Sequence, residues 1–199
     1  MSILNQKTIN HQIEFKGITL HKGKFAYMRI IPSPPNTGIV FKRTDLKINN
    51  IIIANYFNVK DAVLCTTLKN EAGVCISTVE HLMAAFFGLG VDNAIVEVDQ
   101  DEIPIMDGSS KNFVEAIRKT GLKNYETPIK IIKILNKIEI RYDEKYISIE
   151  PSKTSLEIDF EIKFKNSLIG TQRNVISVYE NDLSDVFNSR TFCLYEDIE

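Results

Sequence analysis

The tightest constraint on this chain is one stretch of strong helical period inside a sequence otherwise written mostly at period two. In Ser77-Thr78-Val79-Glu80-His81-Leu82-Met83-Ala84-Ala85-Phe86-Phe87 the apolar positions 79, 82, 83, 86 and 87 follow i, i+3, i+4, i+7, i+8. The pattern predicts a helix over about 78–87, with Ser77 as its N-cap and Gly88 and Gly90 as its stop. A helix of this kind set among short alternating segments predicts an α+β fold, in which sheets are covered by helices on one face.

The alternating segments supply the sheets. Residues 8–15 place Ile9, Ile13 and Phe15 on one side, and residues 25–31 form a second strand ended by Pro32, Pro34 and Pro35. Residues 38–43 form a third strand. Residues 63–68 and 74–76 flank Asn70-Glu71-Ala72-Gly73, a hairpin in which Gly73 is free to take positive φ. Residues 94–98 read as a buried strand, 99–108 as a loop around Pro104, and 112–119 as a second helix ending at Gly121. The polar stretch 122–128 reads as a linker. Beyond it, residues 129–134, 137–142, 146–150 and 155–164 alternate apolar with charged residues, a meander of half-exposed strands, and 182–187 is a short helix. The expected organisation is a first α+β domain over 1–121, a linker over 122–128 and a partial second α+β domain over 129–199. The second has too little helix to cover its sheet, so it calls for a further helix or a partner surface.

Composition narrows the class. A chain of 199 residues buries roughly 70% of its unfolded surface, enough for one ordinary domain or two small ones. A net charge of -2 gives no bulk attraction to nucleic acid or to an acidic membrane, so neither is an expected partner. Cys65, Cys75 and Cys193 are odd in number and widely spaced, which argues against a disulfide framework and for a reducing, cytoplasmic compartment. Residues 1–16 hold no continuous apolar run and read as neither signal peptide nor anchor. No window approaches the roughly 20 apolar residues of an integral membrane segment. Oligomeric state is not encoded in any pattern here.

Opposite its apolar stripe the helix carries Glu80, His81, Ala84 and Ala85, two chemical groups in the first turn followed by two methyl groups that permit close approach. A plain structural reading exists: Ser77-x-x-Glu80 is a capping box, and His81 is a surface histidine. The functional reading uses the same geometry. A helix N-terminus disfavours a protonated imidazole, which leaves His81 available to a metal. In zinc hydrolases the metal lowers the pKa of water to about 7 and a nearby carboxylate takes the proton. The helical H-E-x-x-H pattern is absent, and the other histidines, His11 and His21, lack ligand-like spacing to His81.

Several ordered blocks settle between these readings. Ser77-Thr78-Val79-Glu80-His81-Leu82 closely resembles the zinc-ligand helix of the UDP-3-O-acyl-N-acetylglucosamine deacetylases. The likeness continues through Gly88-Leu89-Gly90-Val91-Asp92-Asn93 and Ile103-Pro104-Ile105-Met106-Asp107-Gly108-Ser109. Upstream, Gly17-Ile18-Thr19-Leu20-His21-Lys22-Gly23, the block from Asn36 to Leu46 and Leu64-Cys65-Thr66 fit in order; downstream, Ser189-Arg190-Thr191-Phe192 does too. The match is strongest before the linker and weaker between 129 and 188.

The resemblance implies hydrolysis of the 2-acetamido group of a UDP-linked 3-O-acylglucosamine, releasing acetate, in the cytosolic part of lipid A synthesis. It implies Zn²⁺ as cofactor, His81 as a zinc ligand, Glu80 as general base and Thr191 as the hydroxyl that stabilises the oxyanion. Leu64, Cys65 and Phe192 would line the site near the acyl chain, Phe164 would stack near the uridine, and His21 would lie beside the cleft. Asp107-Gly108 reads as a turn or helix cap. One departure stands out: the family takes its other two zinc ligands from a later His-Lys-x-x-Asp motif and a second acid–base histidine from later still. The one His-Lys pair here, His21-Lys22, has Phe25 in the place of the Asp. The expectation is therefore a fragment with one zinc ligand, the others lying in a missing C-terminal segment. The competing expectation is a non-catalytic module of the same fold that binds a nucleotide sugar or a partner.

Overall fold

The computed structural model describes residues 4–152 and 156–193. Ser155, the first residue of one expected strand, lies outside the described residues. The chain divides into two compact units. One runs from the N-terminus to Ile129 and includes the segment from Ser184 onward; the other is Lys130–Leu183.

The first unit contains, in chain order, β1 (Asn5–Ile9), β2 (Ile13–Ile18), β3 (Phe25–Pro32), β4 (Ile39–Arg43), β5 (Ile51–Ile53), β6 (Val59–Asp61), β7 (Thr67–Lys69), β8 (Cys75–Ile76), α1 (Glu80–Leu89), β9 (Ala94–Val98), α2 (Lys111–Thr120) and β10 (Leu122–Pro128). Its main sheet has the order β2-β3-β9-β4-β5. The β4–β9 pair is parallel and the others are antiparallel. One face is the core: Phe15, Ala26, Met28, Ile30, Phe41, Ile52, Ala94, Val96 and Val98 are buried, at alternate positions along each strand. Leu82, Ala85 and Phe86 of α1 and Phe113, Val114 and Ile117 of α2 are buried as well. Phe113 meets Phe15 edge-to-face at 5.1 Å. The other face carries Arg29 and Lys42, both paired with Glu97. β6, β7 and β8 form a separate three-stranded sheet whose last hairpin turns through Gly73 at φ 86, as the sequence predicts.

The Gly88-to-Asn93 block is a fastening for this layer. The Lys7 N–H donates to Asp92 Oδ2 at 2.7 Å, Thr8 Oγ1 to the Asn93 carbonyl, and the Gly38 N–H to Asn93 Oδ1. Asn93 Nδ2 in turn donates to Gln6 Oε1. One turn after α1 thus satisfies polar groups of β1 and of the residue that leads into β4.

Several expectations are corrected. Residues 8–15 are two strands in two sheets, because the Asn10 N–H and side chain leave the strand to bond Gly121 O and Thr120 O at the end of α2. Residues 122–128 are no linker: they form β10, paired antiparallel with β1 (Ile9↔Leu122, Thr8↔Lys123, Lys7↔Asn124). A two-stranded sheet leaves side chains exposed, which accounts for the polar composition. Residues 129–134 form no strand, and Ile131 and Ile132 are exposed. Helix α1 starts at Glu80 with Val79 as N-cap and no side-chain capping bond, and it stops at Gly90, whose φ is 70. Its stripe is turned relative to the expected one: Ala85 is buried and Phe87 is exposed.

The second unit contains β11 (Ile138–Tyr142) paired with β12 (Lys145–Ile149), and β13 (Glu157–Lys163) paired with β14 (Thr171–Ser177). No helix lies in it among the described residues. The expected helix near 182–187 is α3 (Ser184–Asn188), and it belongs to the first unit. There Phe187 is buried, with the Arg118 guanidinium of α2 over its ring. None of the helices among the described residues is long and apolar enough to cross a membrane.

Candidate functional site

The site is built around the first turn of α1. Glu80 and His81 are both half-buried there. The capping-box reading of Ser77 and Glu80 does not hold. The Ser77 N–H donates to the Asp101 carbonyl at 3.0 Å, and so does its hydroxyl at 3.2 Å. The Glu80 carboxylate turns the other way: its Oε2 accepts the Thr66 N–H at 3.0 Å. No other hydrogen bond engages that carboxylate among the described residues, so Oε1 is free to act on a bound molecule.

The bond from Thr66 joins the Leu64-Cys65-Thr66 loop to Glu80. Leu64 sits at φ 60, an uncommon conformation for a leucine, and its side chain stands out into solvent at 79% exposure. Cys65 is half-buried, with Sγ 3.8 Å from Thr67 Oγ1.

The next contact comes from α2. Ser110 Oγ donates to the His81 carbonyl at 2.8 Å and fixes the backbone of the imidazole-bearing residue from outside the helix. Just before it, Asp107 Oδ1 accepts both the N–H and the hydroxyl of Ser109, and Asp107 Oδ2 lies 3.6 Å from Arg190 Nη2. The Ser109 hydroxyl bond lowers the pKa of Asp107 most; slight burial works against it, and Arg190 adds to the lowering. Residue Thr191 is exposed and donates its N–H to the Gly108 carbonyl at 2.8 Å. The Ser189–Phe192 strap is thus sewn to the 107–110 turn, which carries Ser110 to His81. Phe192 is exposed.

His21 lies on the β2–β3 turn, exposed, with its N–H on Glu102 Oε1. The first unit therefore brings together, through direct bonds or short links, Glu80, His81, Leu64, Cys65, Thr191 and His21. Phe164 lies in the second unit, half-buried at the end of β13, where its N–H donates to Gly170 O. Two residues of the site escape sequence patterning. Thr78, at φ 61 and 1% exposed, and Glu102, at 0%, lie outside the named strands and helices, where no periodicity marks them. The faint signal is that Thr78 stands in a block of the resemblance without an assigned role and that Glu102 directly precedes one.

A zinc ion fits the donors present only in part. His81 offers an imidazole whose backbone is fixed by Ser110, and Glu80 offers a free carboxylate oxygen on the adjacent residue. Among the described residues no three His, Cys, Asp or Glu side chains converge to hold a metal. Zinc takes three protein ligands and one open position in a hydrolase, and the described residues alone do not complete such a set.

The family model described as UDP-3-O-acyl N-acetylglycosamine deacetylase matches residues 6–199. The chain is similar to the UDP-3-O-acyl-N-acetylglucosamine deacetylase of Pseudoalteromonas atlantica, 39% identical over 99% of this chain and 66% of that protein. It is also 39% identical to the enzyme of that name from Shewanella frigidimarina, over 98% of this chain and 64% of the relative. The Shewanella oneidensis protein is 38% identical over the same shares. The chain spans just under two thirds of the length of these relatives.

Proposed function

The chain belongs to the UDP-3-O-acyl N-acetylglycosamine deacetylase family, and on that premise we propose that it supplies the Glu80–His81 side of a zinc-dependent amide hydrolase. The substrate is a UDP-linked 3-O-acyl-N-acetylglucosamine, the bond broken is that of the 2-acetamido group, and acetate leaves, as a step of lipid A synthesis. The observation that carries this reading is the orientation of Glu80: its carboxylate is withdrawn from helix capping, braced by the Thr66 N–H through one oxygen, and free at the other beside His81.

In this reading His81 is a zinc ligand, and the remaining ligands come from the part of the relatives' length that this chain does not span. Zinc, when bound, lowers the pKa of water to about 7 and polarises the amide carbonyl. Glu80 Oε1 takes the proton of the attacking water, and the leaving amine takes its proton from a second acid–base group in the part of the relatives' length that this chain does not span. The Thr191 hydroxyl, on a strap fixed to Gly108, donates to the oxygen that gains charge. Leu64, Cys65 and Phe192 meet the acyl chain, His21 stands beside the cleft and Phe164 stacks near the uridine. The three free cysteines support a cytoplasmic location.

The test is acetate release from a UDP-3-O-acyl-N-acetylglucosamine by the complete protein, with zinc and after chelation. Release that stops with the chelator and resumes with zinc is expected. A complete protein that holds stoichiometric zinc and releases no acetate would overturn the catalytic reading in favour of a binding module.

A further inference from the structure

One buried carboxylate is used neither by the hydrolytic roles above nor, among the described residues, by an ion pair. Glu102 is 0% exposed and lies in the loop after β9. Its Oε1 accepts the Thr78 hydroxyl at 2.8 Å and the His21 N–H at 2.9 Å; its Oε2 accepts the Lys22 N–H at 3.2 Å. The neighbouring Asp101 binds the Lys22 ammonium, so the same two residues grip both ends of Lys22. A carboxylate taken fully out of water is tolerated only when donors satisfy it, and here three do.

What those donors belong to gives the arrangement its meaning. Thr78 is a β-branched residue at φ 61, a backbone conformation it keeps only if its surroundings enforce it. The enforcement is visible on both sides. Ser77 is clamped into the 101–103 loop by bonds from its N–H to Asp101 O and from the Ile103 N–H to its carbonyl. The Thr78 side chain is then held by Glu102, and the chain emerges into α1 with Glu80 two residues on. The same loop reaches the β2–β3 turn at a second point. Ile105 N–H donates to Ile18 O at 3.0 Å, and Gly17 admits Pro104, since a Cβ there would lie 3.2 Å from the Pro104 Cβ.

We propose that Glu102 is a positioning residue that sets the first turn of α1, with Glu80 and His81, in register with the His21–Lys22 turn. One carboxylate bonded to both segments fixes their separation. This rests on the roles given above to Glu80, His81 and His21.

Three variants of the complete protein test it: Glu102→Gln, Thr78→Val and Thr78→Ser. Gln keeps the shape but replaces one acceptor oxygen with a donor; Val removes only the Thr78 hydroxyl; Ser retains it. The readouts are kcat per folded molecule in zinc-loaded protein and amide hydrogen exchange at residues 21, 22 and 78–82. Glu102→Gln and Thr78→Val are each expected to lower kcat by about 10-fold or more, the usual effect of removing a group that orients a ligand. Thr78→Ser should stay close to the parent. Exchange should accelerate at His21 and Lys22 in Glu102→Gln, and at residues 78–82 in both impaired variants. A kcat unchanged per folded molecule in Thr78→Val, or Thr78→Ser as impaired as Thr78→Val, overturns the proposal; this pair decides the matter if Glu102→Gln does not fold. Should the parent protein release no acetate at all, the deacetylase reading fails and exchange alone judges the anchor: unaltered exchange at 21, 22 and 78–82 refutes it.

Discussion

Asp107 shows how one side chain can serve stability and site geometry together. It holds Ser109 at the entry to α2 and pairs with Arg190 on the strap that carries Thr191. Its folded pKa is lowered, chiefly by the Ser109 hydroxyl bond, so around pH 3–4 the folded state binds fewer protons than the unfolded chain. Its contribution is therefore fully present above the unfolded value of about 4 and is lost as pH falls through the lower folded value. Asp107→Asn should lower the thermal midpoint near pH 7 and flatten its fall between pH 5 and 3; thermal unfolding of both proteins across that range checks this. At this scale the sequence is most informative where a helical period isolates a residue. Glu80 and His81 stand out because the apolar stripe leaves them on the other face. Ser77 misleads because its hydroxyl and N–H find a tertiary partner, Asp101 O, that no local motif encodes. Thr78 is hidden because nothing in a β-branched residue announces a positive φ.

Among elements, the strands of the main sheet and both main helices are legible from period and punctuation, and their ends less so. β10 is missed because its exposed positions make it read as a linker, while the pairing that defines it is with β1, more than a hundred residues earlier. The α3 segment is legible as a helix, but its return to the first unit is not, since that depends on Phe187 seating beneath Arg118. The end of α2 is written most clearly. Gly121 takes φ 75 and ψ 175, a region nearly exclusive to glycine, and a Cβ there would come within 2.9 Å of the Asn10 side chain. Gly121→Ala should cost about 1–3 kcal/mol, mostly from backbone strain. Denaturant unfolding that gives a midpoint equal to the parent's would show that the α2–β10 corner relaxes without cost.

For the molecule as a whole, the two units differ in how they are held. The first has a core sealed between a five-stranded sheet and two helices. The second has two separate hairpins in which Ile138, Ile140, Tyr146, Ile147 and Phe160 are exposed. A two-stranded hairpin is marginal in water when no third strand or helix covers it. Amides of 138–149 should exchange much faster than those of β3 and β9 in the 199-residue chain; equal protection in a hydrogen-exchange experiment would mean that the hairpins are covered in solution. The alternation that predicts these strands was legible, whereas what covers their apolar side chains was not, because period two marks a face and never its partner.

Glu80 and His81 divide the labour of the proposed reaction, and the most direct test measures zinc content and acetate release side by side in Glu80→Ala and His81→Ala forms of the complete protein. Glu80→Ala should keep one zinc per chain and lose turnover on the order of 10²-fold or more, while His81→Ala should lose zinc affinity together with turnover. Near-normal turnover in Glu80→Ala, or full zinc retention in His81→Ala, would contradict it.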